Sequence, residues 1–426
     1  MYPTLIEYLD HWATQSPNDV WLREPHGENL TEWTWSQVQA EVGTIAAWQE
    51  NFLGGPGINV GLLSRNRAHW FMADLGTIAA GNVTIPMFVT LPRDTAEYVM
   101  SFTEMKLLFV GETENWEAVK TVLPEGIVLV TLPGVTLDEP HLRWEDLVAA
   151  HAGQSSSYKC QPSDLVSIVF TSGTTGVPKG VMQTHASNEI PVNRFMASFA
   201  TPPRGRYFSY LPLAHIAERQ IVEYASLING GVVYFNENML TLLRDLPACR
   251  PHIMFGPPRV WEQLQQVIIG HFGSQQAVND ALERDPEGSG KQVRDMLGLD
   301  DVLYLLTAAA PTPPALIEWY GQFGLDLMEG FGQTEAMGLS ANTHEHRKVG
   351  SIGQVVGNVE VRISEEGELL ARATGLAAGY YKDPEKTAET FRDGWIYTGD
   401  KARIDEEGFI FLTGRMKDYF KTIQGK

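Results

Sequence analysis

Cysteine is scarce. Cys160 and Cys249 are the only two in 426 residues, which excludes a disulfide framework and a clustered-cysteine zinc site. Both read as packing residues of a protein from a reducing, cytoplasmic compartment. Long apolar runs are also missing. None approaches the roughly 20 residues that a spanning helix needs, and Met1 to Glu7 lacks the basic stretch and apolar core of a signal peptide. The sequence therefore implies no transmembrane segment, while peripheral membrane contact stays compatible with it. Positive charge is short: 32 Lys and Arg stand against 52 Asp and Glu, a net charge of −20. That excludes a generic binder of nucleic acid polymers, which grip phosphate backbones with excess cations. A local basic pocket for a nucleotide remains open. No internal repeat is found. The length suits two or three domains with a large core.

What is present is a βα rhythm. Leu5 to Thr14 is helical by apolar spacing, and Thr34 or Ser36 caps a helix over Val38 to Phe52. Ile58–Leu63, Thr84–Met87, Leu107–Val110, Ile127–Val130 and Leu165–Phe170 read as buried strands. Helices are expected over Ala68–Ala80, Thr95–Thr103, Thr184–Phe199, Glu218–Asn229, Val260–Phe272 and Pro314–Phe323. Residues 285–291 read as the most loop-like stretch. Past residue 346 the pattern changes to short alternating strands with Gly and acidic turns, the pattern of a small antiparallel sheet or barrel. The expected class is α/β, with two βα-layered lobes of mostly parallel sheet and a small antiparallel barrel-like subdomain. The boundaries fall at 1–160, 161–345, 346–413 and 414–426. The tryptophans of the first lobe read as packing residues.

Thr171-Ser172-Gly173-Thr174-Thr175-Gly176-Val177-Pro178-Lys179-Gly180 follows the Leu165–Phe170 run. Its glycines let backbone approach a ligand, its hydroxyls and N–H groups can cradle phosphate oxygens, and Lys179 adds a charge. It is not the usual P-loop, because Pro178 stands where that pattern needs its second glycine. Three more stretches carry chemistry-bearing residues: Glu329-Gly330-Phe331-Gly332-Gln333-Thr334-Glu335, Asp393 to Asp400, and Gly414-Arg415-Met416-Lys417-Asp418-Tyr419-Phe420-Lys421.

In this order and spacing, the four stretches resemble the adenylate-forming superfamily of acyl-CoA synthetases, firefly luciferase and peptide-synthetase adenylation domains. Leu211 to Arg219, Pro257 to Glu262 and Trp395 to Lys417 are similar to its long-chain fatty acyl-CoA synthetase branch. The resemblance implies that a fatty carboxylate, medium- to long-chain, attacks the α-phosphorus of ATP, giving acyl-AMP and pyrophosphate. The thiol of CoA then displaces AMP. Two anions must meet, so Mg²⁺, lysine and N–H donors are the expected aids. A carrier-protein thiol as acceptor, or a non-catalytic nucleotide- or acyl-binding module, are the alternatives. ATP, CoA and a carboxylic acid are the implied partners, for a monomer or homodimer.

The same resemblance implies roles. Thr171, Ser172, Gly173, Thr174, Thr175, Gly176 and Lys179 take the β- and γ-phosphates. Glu335, helped by Thr171, binds Mg²⁺, and Thr334 bonds the α-phosphate. Phe331 stacks on adenine, with Glu329 and Gly330 beside it and Ala308, Ala309 and Ala310 on the opposite side. Many members have glycine in the alanine stretch, so the extra methyls are expected to tighten that pocket. Asp400 and Arg415 reach the ribose. Lys417 marks the hinge, and Lys421 contacts the nucleotide. His215 lies beside the carboxylate and thiol path, whereas His185 and His252 are structural. Lys426 falls inside the family's hinge. The expectation is therefore a chain without the C-terminal α+β domain, and poorly active alone.

Overall fold

The computed structural model describes residues 3–171 and 177–417. Ser172, Gly173, Thr174, Thr175, Gly176 and Lys421 lie outside the described residues. The chain forms two compact units, both discontinuous in sequence. One comprises Met1–Ile190, Ser209–Met239 and Ala377–Lys382. The other comprises Pro191–Phe208, Leu240–Leu376 and Asp383–Lys426.

The first unit contains an eight-stranded sheet. Its spatial order is Gly379–Tyr380, Lys179–Thr184, Leu165–Thr171, Val83–Met87, Asn59–Leu63, Leu107–Val110, Val128–Thr131 and Leu142–Arg143. From Leu165–Thr171 onward every pairing is parallel, while Lys179–Thr184 and Gly379–Tyr380 join antiparallel. The parallel strands are near-continuous apolar runs because both faces are covered. In Ala68–Ala79 every residue is buried, Trp70 and Phe71 included. Close packing fixes some glycines: a Cβ at Gly61 would lie 2.4 Å from Met105 Sδ. Thr34 proves to be the cap of the Trp35–Leu53 helix, in a capping box with Gln37, while Ser36 donates to Pro17 O instead. Val20–His26 and Asn29–Thr34 form an antiparallel hairpin that the sequence pattern left unassigned. Its turn includes Gly27 at φ +63°.

The second unit carries parallel strands Ile253–Phe255, Tyr304–Thr307 and Leu327–Gln333. They are extended antiparallel by Ala336–Ala341 and Gln354–Val355. A separate antiparallel sheet orders Glu360–Ile363, Glu368–Arg372, Trp395–Ile404 and Phe391–Arg392, with Ile410–Arg415 also on Trp395–Ile404. Ala371, Ile396 and Val359 form one core cluster of this sheet, and Leu369, Ala402 and Ile410 another. The expected small antiparallel element is present, but among the described residues it is an open sheet and no closed barrel is seen.

Two local expectations change. Residues 285–291 are not a loop: Asp285 caps the helix Pro286–Leu297, accepting from Gly288 N at 2.9 Å. Asp-Pro is a start signal, since proline's missing N–H costs nothing in the first turn. The stretch expected as one helix over Glu218–Asn229 is π-helical from Arg219 to Tyr224 before Ala225–Asn229 resumes α.

Candidate functional site

In the second unit the site residues gather around one hairpin. Leu327–Gln333 and Ala336–Ala341 pair with Gln333 opposite Ala336, so Thr334 and Glu335 form its entire two-residue loop. Close approach inside the hairpin requires Gly332, because a Cβ there would lie 2.8 Å from Gly338 N. Thr334 and Glu335 are both half-buried. Phe331 is half-buried too and packs against both core clusters of the open sheet.

Gln333 had no assigned role, and the structure supplies one. Its Nε2 donates to Thr398 O and to Asp400 Oδ2, each at 2.8 Å. Asp400 Oδ1 faces Arg415 Nε at 3.0 Å, across a register pair between Trp395–Ile404 and Ile410–Arg415. The carboxylate is buried and Arg415 largely exposed. Burial raises the Asp400 pKa against the lowering pull of Arg415 and Gln333. A buried acceptor with a donor at each oxygen is thus built from three separate strands. Lys417 is exposed, two residues beyond Arg415.

Ala308, Ala309 and Ala310 leave the end of Tyr304–Thr307, and Thr307 stands in register with Glu329 on the neighbouring strand. Ala309 adopts φ +70°, the left-handed region that favours glycine. Ala309 and Ala310 are exposed, while Ala308 is half-buried. Thr307 and Thr312 hydroxyls lie 2.9 Å apart and close this loop. Glu329 is buried and accepts from Gly350 N at 3.3 Å and from the Thr312 backbone. Its carboxylate therefore anchors two loops, and burial raises its pKa.

In the first unit, Thr171 ends one strand and Lys179 begins the next, paired in register. Lys179 Nζ lies 5.6 Å from the ring centroid of Tyr380, an aromatic contact that motif spacing gave no means of finding. Gly180 is needed here, as a Cβ would meet Ile168 Cγ2 at 2.6 Å. His215 caps the short Ile216–Glu218 helix, its Nδ1 accepting from Ala217 N at 3.1 Å. The residue has exposed surface, yet enough protein crowds the imidazole that desolvation lowers its pKa. The neutral ring with Nδ1 as acceptor leaves Nε2 as the N–H. Behind it, Glu218 is fully buried and accepts from Tyr210 N at 2.9 Å; burial pushes its pKa up to about 8. Arg219 pairs with buried Asp74 at 2.5 Å. His185 accepts from Leu5 N and His252 from Arg206 N, so each is satisfied by backbone.

Among the described residues, no group of three or more His, Cys, Asp and Glu side chains could hold a metal ion.

A family model described as AMP-binding enzyme matches residues 9–381. Fatty acyl-CoA synthetase A of Dictyostelium discoideum is 28% identical over 418 residues, covering 87% of this chain and 62% of its own length. Long-chain-fatty-acid–CoA ligase 1 of Homo sapiens is 27% identical over 480 residues, covering 99% of this chain and 68% of its own. The chain thus spans about three fifths to two thirds of the length of these relatives. Among solved structures, the anthranilate CoA ligase AuaEII in complex with anthranoyl-AMP aligns over 98% of this chain and 79% of its own, with a TM-score of 0.83 and 21% identity. The N-terminal domain of FACL13 from Mycobacterium tuberculosis aligns over 97% and 100%, with a TM-score of 0.79 and 23% identity. These two likenesses establish the fold.

Proposed function

Because the chain belongs to the AMP-binding enzyme family, we propose that it serves ATP-dependent activation of a medium- to long-chain fatty acid to acyl-AMP, with CoA as the thiol that then takes the acyl group. The observation that carries this reading is the Asp400 carboxylate, buried and held at both oxygens by Gln333 and Arg415. A two-oxygen acceptor suits a pair of ribose hydroxyls. Arg415 is exposed enough to swing from Asp400 to the nucleotide.

The remaining roles follow residue by residue. Thr334, in the hairpin loop, donates its hydroxyl to the α-phosphate. Phe331 presents the part of its ring not packed on the sheet core to adenine, and the Ala308–Ala310 backbone lies on the other side. Thr171 and Lys179, with Ser172 to Gly176 between them, take the outer phosphates. Glu335 and Thr171 hold Mg²⁺, which when bound neutralises phosphate charge. His215, neutral and with Nε2–H as donor, orients the attacking carboxylate or the incoming thiol. Lys417 sits at the hinge and Lys421 near the nucleotide. Little covalent work falls to the protein; orientation and charge neutralisation do most of it.

Calorimetric titration with non-hydrolysable acyl-adenylate analogues of graded chain length tests this. Affinity should rise by up to about fourfold per methylene while the chain is being buried, from about 0.8 kcal/mol each. Asp400→Asn should weaken every analogue by about tenfold, one lost charge-assisted hydrogen bond. Flat affinity across chain lengths would remove the fatty-acid assignment, and absence of binding would remove the adenylate reading.

A further inference from the structure

A polar crevice lies in the first unit. It measures about 220 Å³ and is lined by Arg65, Arg67, Gly111, Glu112, Thr113 and the Gly134–Thr136 loop. Its position follows from topology. Asn59–Leu63 and Leu107–Val110 are adjacent parallel strands, in register from Val60 opposite Leu107 to Leu63 opposite Val110. From the first, the chain crosses through Ala68–Ala79 to Val83–Met87 on one side. From the second, it crosses through Trp116–Val119 to Val128–Thr131 on the other. Adjacent strands whose connections leave in opposite directions open a crevice at their carboxyl ends, where open α/β sheets take ligands. Gly111 in its lining must be glycine, because a Cβ there would collide with Ser64 Oγ.

The lining selects for an anion. Arg67 is only 8% exposed, and its Nη2 donates to Pro133 O at 2.7 Å. Its buried Nε has no hydrogen-bond partner; the nearest carboxylate oxygen is Glu24 Oε1 at 4.0 Å. Glu24 balances part of the Arg67 charge through Oε1, while Oε2 accepts from Ala68 N at 2.9 Å. Arg65 is half-exposed at the mouth, 3.9 Å from Glu112 Oε2. Glu112 folds back so that its Oε1 accepts from Thr113 N at 2.7 Å and Glu114 N at 3.1 Å. Successive backbone N–H groups turned toward one oxygen make an anion-binding nest, and here the chain's own carboxylate fills it. Val135 is the one sizeable apolar side chain of the lining, so an acyl chain finds no surface there.

We propose that this crevice binds the phosphate group of a small anion. The donors are Arg65 and the nest at Thr113 and Glu114, with the ligand displacing the Glu112 carboxylate and buried Arg67 adding positive charge behind them. The inference does not rest on the adenylation reading.

The test is calorimetric titration of the folded protein with inorganic phosphate and, separately, pyrophosphate. Arg65→Ala removes a half-exposed side chain that the core does not need, and should weaken binding by about tenfold. Glu112→Ala empties the nest and removes a competing charge, and should tighten binding several-fold. Lys179→Ala removes any uptake of these probes by the phosphate loop, and the binding that Arg65→Ala weakens should persist in it. A thermal melt of each variant confirms folding. The proposal is overturned if the wild type binds neither probe at millimolar concentration, if both crevice variants bind as the wild type does, or if Lys179→Ala alone abolishes the isotherm.

Discussion

Asp400 shows what single residues decide. As a lone aspartate it is unremarkable, but Gln333, 67 positions away, donates to one of its oxygens, and Arg415 faces the other. The motifs named Asp400 and Arg415. Gln333 stood inside a recognised motif without a role, because its partner is fixed by the packing of three strands. Ala309 carries the opposite lesson. Many relatives are expected to have glycine in this stretch, and the alanine is held at φ +70°. A left-handed non-glycine residue costs about 1–2 kcal/mol, while glycine gives back about 0.5–1 kcal/mol in chain entropy. Ala309→Gly should therefore stabilise the protein by roughly 0.5–1 kcal/mol. Urea unfolding measures this, and an unchanged or lower midpoint would show that the loop carries no such strain.

Among the elements, the π-helical turn Arg219–Tyr224 stands apart. Regular α-geometry is abandoned where Arg219, fully buried, meets Asp74 and the Tyr224 hydroxyl, with Trp70 5.3 Å away. Burial and the neighbouring Asp74 raise the Glu223 pKa against the lowering pull of Arg219. The pair is not in itself evidence of stability, since desolvation offsets attraction. Breaking it is another matter. Arg219→Met leaves Asp74 buried and unpaired, and should cost about 3–5 kcal/mol. Arg219→Met together with Asp74→Asn should recover much of that loss in the same unfolding assay. If the single substitution cost under about 1 kcal/mol, water or a relaxed backbone must already solvate Asp74. The hairpin at Thr334-Glu335 is the counterpart in the other unit. Its strands were not read from the sequence, though the motif marked the loop, because glycines dilute the alternation that signals a strand.

At the scale of the molecule, buried titrating groups give stability a pH optimum. Glu218 has a folded pKa of about 8 against an ordinary 4.5. The native state therefore holds a proton that the unfolded chain releases, and stability falls as pH rises from about 4.5 to 8, by up to about 1.4 kcal/mol per pH unit. His185 works in reverse. Burial lowers its pKa from 6.5 to about 4, so its contribution is present above 6.5 and is lost as pH falls toward 4. Denaturant midpoints across this range should pass through a maximum. Glu218→Gln, which mimics the protonated side chain, should flatten the alkaline limb; if that limb persisted unchanged, Glu218 would not be its source.

The sequence by itself determined the family, the fold class and the strand runs, and it named the residues proposed to carry nucleotide chemistry. These are local signals: apolar periodicity, capping pairs such as Thr34 with Gln37, and motifs whose spacing survives without coordinates. It did not reach the start of the Pro286–Leu297 helix, although Asp285-Pro286 was a local cue hidden by two following glycines. The tertiary structure alone decided that Ser209–Met239 and Ala377–Lys382 belong to the same unit as the first 190 residues. It also decided that Gln333 holds Asp400, that Tyr380 lies beside Lys179, and that two arginines and a filled N–H nest meet where strand connections diverge. The reason is physical. Hydrogen-bond partners, burial and crevices arise between segments far apart in the chain, and no short-range pattern encodes which of them will meet.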